Sequence, residues 1–303
     1  AGDAGCLATY AEQADCDDGD PQIHPGQPDP PGDGIDSDCS GTDGSWRQVG
    51  AGLFHSCGIS STDELFCWGL NDAGQATPPA GTFRELSVGA FHNCAISTAG
   101  QLQCWGSNLN GEASPNPGTF SEVSAGGFHT CAINATGSVE CWGRATEAQL
   151  AAPAGAFSHI SAGGFHSCGI RVGGAAECWG LNTDGQSSAP GAAAFTDLDV
   201  GAAHSCGITT DGSVLCWGSD TNGQSSPAID SYQQLGTGTS HSCGVTNANG
   251  LECWGEDGAG QASPPAGSFQ QASAGGDHSC ALASNATLNC WGSNAEGQLN
   301  PPF

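Results

Sequence analysis

The chain has 303 residues, with 49 Gly, 16 Pro, 17 Cys, no Met and a formal net charge of −27, its only basic side chains besides His being Arg47, Arg84, Arg144 and Arg171. That charge excludes nucleic acid and anionic membrane surfaces as partners, because both need neutralising cations. No run of 18 apolar residues exists to cross a membrane. What remains is divalent cations, cationic partners or plain solubility. Seventeen cysteines fit an oxidising compartment. A chain that begins at Ala1 without an initiator Met reads as a mature secreted form.

The first element is an irregular arm over residues 1–45. It holds 11 of the 31 acidic residues, has no Lys or Arg and shares no pattern with the rest of the chain. Asp15-Cys-Asp-Asp-Gly-Asp20 continues through Pro25-Gly26 to Asp33-Gly-Ile-Asp-Ser-Asp-Cys39-Ser-Gly. So many carboxylates near two Pro-Gly turns repel one another unless a cation neutralises them, and hard oxygen donors favour Ca²⁺ over Zn²⁺ or Cu²⁺. The candidate ligands are Asp15, Asp17, Asp18, Asp20, Asp33, Asp36 and Asp38. The loop is not an EF-hand, since no Glu stands at its twelfth position; the competing reading is a disordered acidic tail. This stretch resembles the metal-binding motif of secreted bacterial proteins, although Pro30-Pro31 stands where that family has a middle Cys. Cys16 and Cys39 are expected to pair and close the loop. Cys6 is then left over, for an intermolecular bond or another pairing within the arm.

From residue 46 to residue 303 the sequence repeats. His-x-Cys recurs at His55, His92, His129, His166, His204, His241 and His278, in steps of 37 or 38 residues. A Cys-Trp-Gly triplet comes after each, and an aromatic (Trp46, Phe83, Phe120, Phe157, Phe195, Tyr232, Phe269) lies nine residues before each His. A loop that mostly reads Asn-x-x-Gly-Gln comes after the Trp, as in Asn71–Gln75 and Asn294–Gln298. Strand-like runs alternate with Gly, Pro, Asn and Ser clusters, and no helical period is sustained. Short strands at this period predict β-propeller blades. The first and last units look like the middle ones, which favours a closed ring over an open solenoid with capping repeats. The predicted fold is all-β: a seven-bladed propeller over 46–303, with one disulfide per blade, preceded by the acidic metal-binding arm. Gly-x-x-His-x-Cys-x-Ile and then Cys-Trp-Gly-x-Asn-x-x-Gly-Gln together resemble the regulator of chromosome condensation repeat. That resemblance implies a seven-bladed propeller; it does not imply nucleotide exchange, because the family also contains secreted bacterial inhibitors.

Within a unit the two cysteines are always ten residues apart. In the third, a hairpin with a three-residue loop centred on Thr136 sets Cys131 opposite Cys141 and Ile133 beside Val139. Directly opposed residues approach within disulfide range. Seven bridges are expected: Cys57–Cys67, Cys94–Cys104, Cys131–Cys141, Cys168–Cys178, Cys206–Cys216, Cys243–Cys253 and Cys280–Cys290. The alternative is a metal held by His, Cys and Cys, but no Cys-x-x-Cys pair accompanies them. A His in every unit reads as a framework hydrogen-bonder, because an active site needs asymmetry; the repeated Trp read as wedges between blades. Departures from the repeat mark where binding could sit. The third loop is Arg144-Ala-Thr-Glu-Ala-Gln149, the fifth has Asp220 for Asn, and the second ends Gly111-Glu112. Asn134 and Asn285 open glycosylation sequons in predicted turns.

Three functions are compatible with these residues. The first is a secreted, non-enzymatic scaffold that assembles with copies of itself at the cell surface or as an extracellular filament, with Ca²⁺ setting the arm. The second is a propeller binding module or inhibitor acting on a foreign protein. The third is a propeller lyase or hydrolase, which needs a non-repeated acid, base or nucleophile. The non-repeated His24 and His159 stand in no recognisable constellation, so no catalytic residue is named.

Overall fold

The computed structural model describes residues 20, 23, 35, 37, 39, 44–191, 193–228 and 231–302. Its strands form seven antiparallel three-stranded sheets, each from consecutive strands of one repeat. In the first blade the inner strand is Trp46–Ala51, the middle strand His55–Ser60 and the outer strand Leu65–Gly69. The other inner strands are Phe83–Val88, Phe120–Ala125, Phe157–Ala162, Phe195–Val200, Tyr232–Thr237 and Phe269–Ala274. These seven line a central channel. The inner-to-middle turns and the loops leaving the outer strands lie at one end of it, the upper face, where the Leu70 N–H donates to the Phe54 carbonyl. The chain enters each blade at the lower face.

The disulfides are a consequence of register. Cys131 lies opposite Cys141 and Ile133 opposite Val139, and in all seven blades the bridged Cα atoms are 4.0–4.1 Å apart. The first Cys of every bridge is wholly buried. The blade cysteines are therefore spent on each other, not on a metal.

The core lies between blades. Cys57, Ile59 and Leu65 of the first blade pack on Phe83 and Leu86 of the second. The same contact joins the seventh to the first through Cys280, Leu282, Trp46, Val49 and Trp68. Among the described residues closure uses this packing, and each sheet takes its three strands from one repeat, a point the repeat alone left open. Two glycine positions are dictated by geometry, one in every blade and one in the first, whose equivalent is Ala95, Ala132 or Ala281 in three others. The Gly ending each Cys-Trp-Gly has φ of 97–108°, a region that penalises any Cβ. A Cβ on Gly58 would lie 2.4 Å from the Trp46 ring.

Candidate functional site

Three rings of hydrogen bonds run between neighbouring blades around the channel, the second of them interrupted at Gly50 and Gly236, and they account for most of the repeated polar residues. In the first ring, each repeat His puts Nε2 2.7–2.9 Å from a Ser, Thr or Asn oxygen of the next blade, from His55–Asn93 to His278–Ser56. Ser56, Thr130, Ser205, Ser242 and Ser279 pass their own hydrogen to the carbonyl of the Gln or Glu that ends a neighbouring loop. These five carbonyls and those of Gln75 and Gln149 accept the indole N–H of the seven Cys-Trp-Gly tryptophans at 2.8–3.1 Å. These oxygens must accept from His, so Nε2 carries the proton and the imidazole is neutral. Burial holds the seven His pKa values down at about 3 to 4.

The second ring is formed by Ser87, Ser124, Ser161 and Ser273, each accepting a backbone N–H of the adjacent inner strand. Asp199 does the same for Thr237. The third ring uses the third residue of every inner strand. A bulge between the first and third residues recurs in all seven, and bulges re-aim side chains. The amides of Gln48, Gln234 and Gln271 clamp both the N–H and the C=O of Leu86, Ala272 and Val49. Gln271 thereby closes the ring.

On the other side the same column reads Glu85, Glu122, His159 and Asp197, so the repeat is broken here. Glu85 accepts the Val123 N–H at 2.8 Å. Glu122 Oε1 accepts both the Ile160 N–H at 3.1 Å and His159 Nδ1 at 2.7 Å. His159 Nε2 donates to the Leu198 carbonyl at 2.7 Å, with Asp197 3.9 Å away. Both ring nitrogens face acceptors, so His159 is an imidazolium. Burial opposes that charge, but Glu122, Asp197 and the Leu198 carbonyl outweigh it and hold its pKa at about 9. Burial pushes Glu85 up to about 7 against its Val123 hydrogen bond. His159 thus sits in a constellation that sequence reasoning missed. The signal was available: Glu122 and His159 occupy equivalent positions one repeat apart.

Protonated Glu85 is isosteric with Gln48 and can donate to the carbonyl that the amide would reach. Its folded pKa lies above the unfolded 4.5, so the native state holds the proton more tightly. Stability from this group is full below pH 4.5 and is lost as pH rises through about 7. Glu85→Gln is expected to remove that loss and to stabilise the protein by ~1–3 kcal/mol at pH 8. Urea midpoints at pH 5 and pH 8 check it; a variant that loses stability as the wild type does between them contradicts it.

The other departures from the repeat resolve in part. Asp220 accepts the Ser225 N–H at 2.8 Å as Asn71 accepts that of Ala76 at 2.9 Å. Glu112 accepts the Asn110 N–H as Gln75 accepts that of Ala73. The third loop keeps its shape with Ala148 at φ 60° where the other six units have Gly at 79–85°, and beside it Arg144 projects over the rings of Phe128 and Phe165. Asn285 lies in the predicted turn, whereas Asn134 ends the strand His129–Asn134 at the edge of its turn, and its Nδ2 donates to Glu140.

Of the predicted arm site, Asp20 and Cys39 fall within the described residues. Asp20 is exposed and its carbonyl accepts the Ile23 N–H at 3.0 Å. Cys39 is disulfide-bonded. Asp15, Asp17, Asp18, Asp33, Asp36, Asp38, Cys6 and Cys16 lie outside the described residues. Among the described residues no three His, Cys, Asp or Glu side chains converge as a metal-ligand set.

Residues 15–44 match a family described as "Putative metal-binding motif". Regulator of chromosome condensation repeats match 46–75, 83–112, 120–149, 157–186, 195–224 and 269–298. Residues 232–261 lie outside these stretches yet build the sixth blade. No curated protein matches the sequence. Among solved structures, the ectodomain of the receptor kinase CR4 from Physcomitrella patens is 27% identical with a TM-score of 0.71, over 82% of this chain and 74% of that one. The ectodomain of the Arabidopsis thaliana receptor kinase ACR4 is 25% identical with a TM-score of 0.68, over 84% and 98%. Prp20p of Saccharomyces cerevisiae, whose structure was described with its binding to Gsp1p and histones, is 14% identical with a TM-score of 0.63, over 76% and 80%, and shows the fold alone. Seven blades of one geometry, with six repeat matches spanning more than half of the sequence, establish that this chain belongs to the regulator of chromosome condensation repeat family.

Proposed function

We propose that the protein is a secreted, non-enzymatic interaction scaffold that assembles with copies of itself outside the cell, with residues 1–45 acting as a calcium-set arm on a propeller over 46–303. The observation that carries this reading is the fate of the channel side chains. The seven repeat His are buried and neutral, and both nitrogens of His159 are committed to hydrogen bonds. A general base needs a free lone pair within reach of its substrate, and His159 has none. That speaks against the lyase or hydrolase alternative. Seven disulfides fit an oxidising exterior, and the relatives at 27% and 25% identity are named as ectodomains.

The arm's donor set fits a hard cation. Asp20 offers exposed carboxylate oxygens, and Cys39, bound in a disulfide, is no soft thiolate ligand. Asp15, Asp17, Asp18, Asp20, Asp33, Asp36 and Asp38 would hold Ca²⁺ and Cys16–Cys39 would close the loop. The ion would neutralise a segment whose charges otherwise repel. A ligand at a hundredfold its dissociation constant contributes about 2.7 kcal/mol. Chelation with EDTA is expected to lower both particle size by light scattering and the melting temperature by calorimetry, and added Ca²⁺ to restore them. Unchanged size and melting contradict the calcium-linked assembly.

A further inference from the structure

Immediately before the repeat His, at the tip of the inner-to-middle turn, the first four blades carry Phe54, Phe91, Phe128 and Phe165; the other three carry Ala203, Ser240 and Asp277. The four rings are half-buried and run side by side along one half of the upper face, with centroids 6.4, 6.0 and 5.4 Å apart. Arg144 lies 5.6 Å from the Phe128 centroid and 4.9 Å from that of Phe165. Its Nε donates to Thr146 at 2.8 Å. Arg47, Arg84 and Arg171 each have a carboxylate partner within the chain. Among the described residues Arg144 has none, in a protein with 31 acidic residues. A guanidinium stacked on aromatic faces keeps its edge free for bidentate contact with a carboxylate. Leu109 is 94% exposed in a loop at the same end.

We propose that this arc receives the amino-terminal arm of a second copy of the chain, an inference that rests on the self-assembly reading above. Leu7 and Tyr10 would lie on the phenylalanine rings and Glu12 would pair with Arg144. The chemistry matches, since two large apolar side chains precede a carboxylate that stands two residues beyond the second. The geometry admits a neighbour. The arm joins the propeller at Ser45, which is hydrogen-bonded to Ser61 in the turn of the lower face, whereas the arc is on the upper face. Thirty-odd residues separate Glu12 from Ser45 and reach up to on the order of 100 Å when extended, against a strand height of ~20 Å. Docking on a neighbour joins two different surfaces, a heterologous contact that builds an open filament unless its rotation closes into a ring. Repulsion between acidic copies is screened beyond about 8–10 Å at physiological salt.

Light scattering of the full chain in Ca²⁺ tests this with Arg144→Glu, Phe128→Ala and the arm double variant Leu7→Ser/Tyr10→Ser, each checked for an unchanged blade disulfide map and circular dichroism. All three are expected to weaken assembly at least tenfold. A synthetic peptide of residues 1–14 carrying Cys6→Ser is expected to compete with wild-type assembly. Assembly that survives Arg144→Glu and the arm variant overturns the docking while leaving self-assembly standing. A wild-type chain that stays monomeric at every concentration overturns both. A monomer whose arm is protected from protease only while Arg144 is present places the arm on its own propeller and also overturns the proposal.

Discussion

Between pH 6.5 and pH 4 the propeller is expected to lose stability steeply and to unfold as it takes up protons on its seven repeat His. Burial lowers their folded pKa values to about 3 to 4, against 6.5 when exposed. A base with a depressed folded pKa contributes stability above its unfolded pKa, and that contribution is lost as pH falls toward the folded value. At pH 5 each His costs about 2 kcal/mol, because the unfolded chain binds a proton that the native ring refuses. Seven such terms compete with a total stability of the order of 5–15 kcal/mol. The geometry shows why the ring refuses it: Nε2 already donates to the next blade, and every Nδ1 is buried without a hydrogen-bond partner among the described residues. Relief of self-repulsion from the −27 charge acts in the opposite direction as carboxylates protonate. Most of those charges are solvated and screened, so the buried imidazoles win. His129→Gln keeps a donor toward Ser167 and cannot ionise; it is expected to reduce the pH slope by about one proton in seven. Urea midpoints from pH 7.5 to 4.5 measure this. A flat profile across that range would refute the neutral, buried ring.

Reduction is the second large effect. Closing a ten-residue loop contributes ~3 kcal/mol in the chain-entropy model, and the blades have little else in reserve. One inter-blade core holds Cys57, Ile59, Leu65, Phe83, Leu86 and Ala95, and that between the sixth and seventh blades has Ala272 and Ala281 beside Phe269. The first sulfur of each bridge is fully buried and packs in that core, so the thiols that replace it also lose a well-fitted contact. Full reduction in phosphine reductant at pH 7.5 is expected to abolish cooperative melting. Replacing one bridge, Cys131→Ala with Cys141→Ala, is expected to cost about 2–5 kcal/mol and to destabilise both flanking interfaces. Melting of the fully reduced chain unchanged from that of the oxidised one would show that packing alone holds the blades.

The blades were legible because their signal is local. A ten-residue spacing across a short polar turn fixes a hairpin, so Cys131 opposite Cys141 needs no knowledge of the rest of the chain. The His and Trp columns were legible as framework because they recur without exception. What was not legible lies between blades. The clamp formed by Gln48, Glu85, Glu122, His159, Asp197, Gln234 and Gln271 has no single residue type; its only signature is a polar side chain two residues after each repeat aromatic. The contact between Glu122 and His159 is 37 residues long in sequence and one blade wide in space. Arg144 was visible as a break in the repeat, but the phenylalanine arc beneath it required knowing that four successive turn tips meet on one face. The acidic arm offers no repeat to read against, and apart from Asp20 and Cys39 its predicted ligands and cysteines fall outside the described residues.

Among the described residues the ring closes with no strand shared between blades, and the seventh blade bonds to the first through His278–Ser56 and Gln271–Val49. Hydrogen exchange of His278→Gln, read by mass spectrometry, tests this most directly. Faster exchange in the middle strand of the seventh blade, His278–Ala283, and equally in that of the first, His55–Ser60, is the expected result. Acceleration confined to the last blade, with the first unaffected, would mean that the two ends of the repeat do not meet.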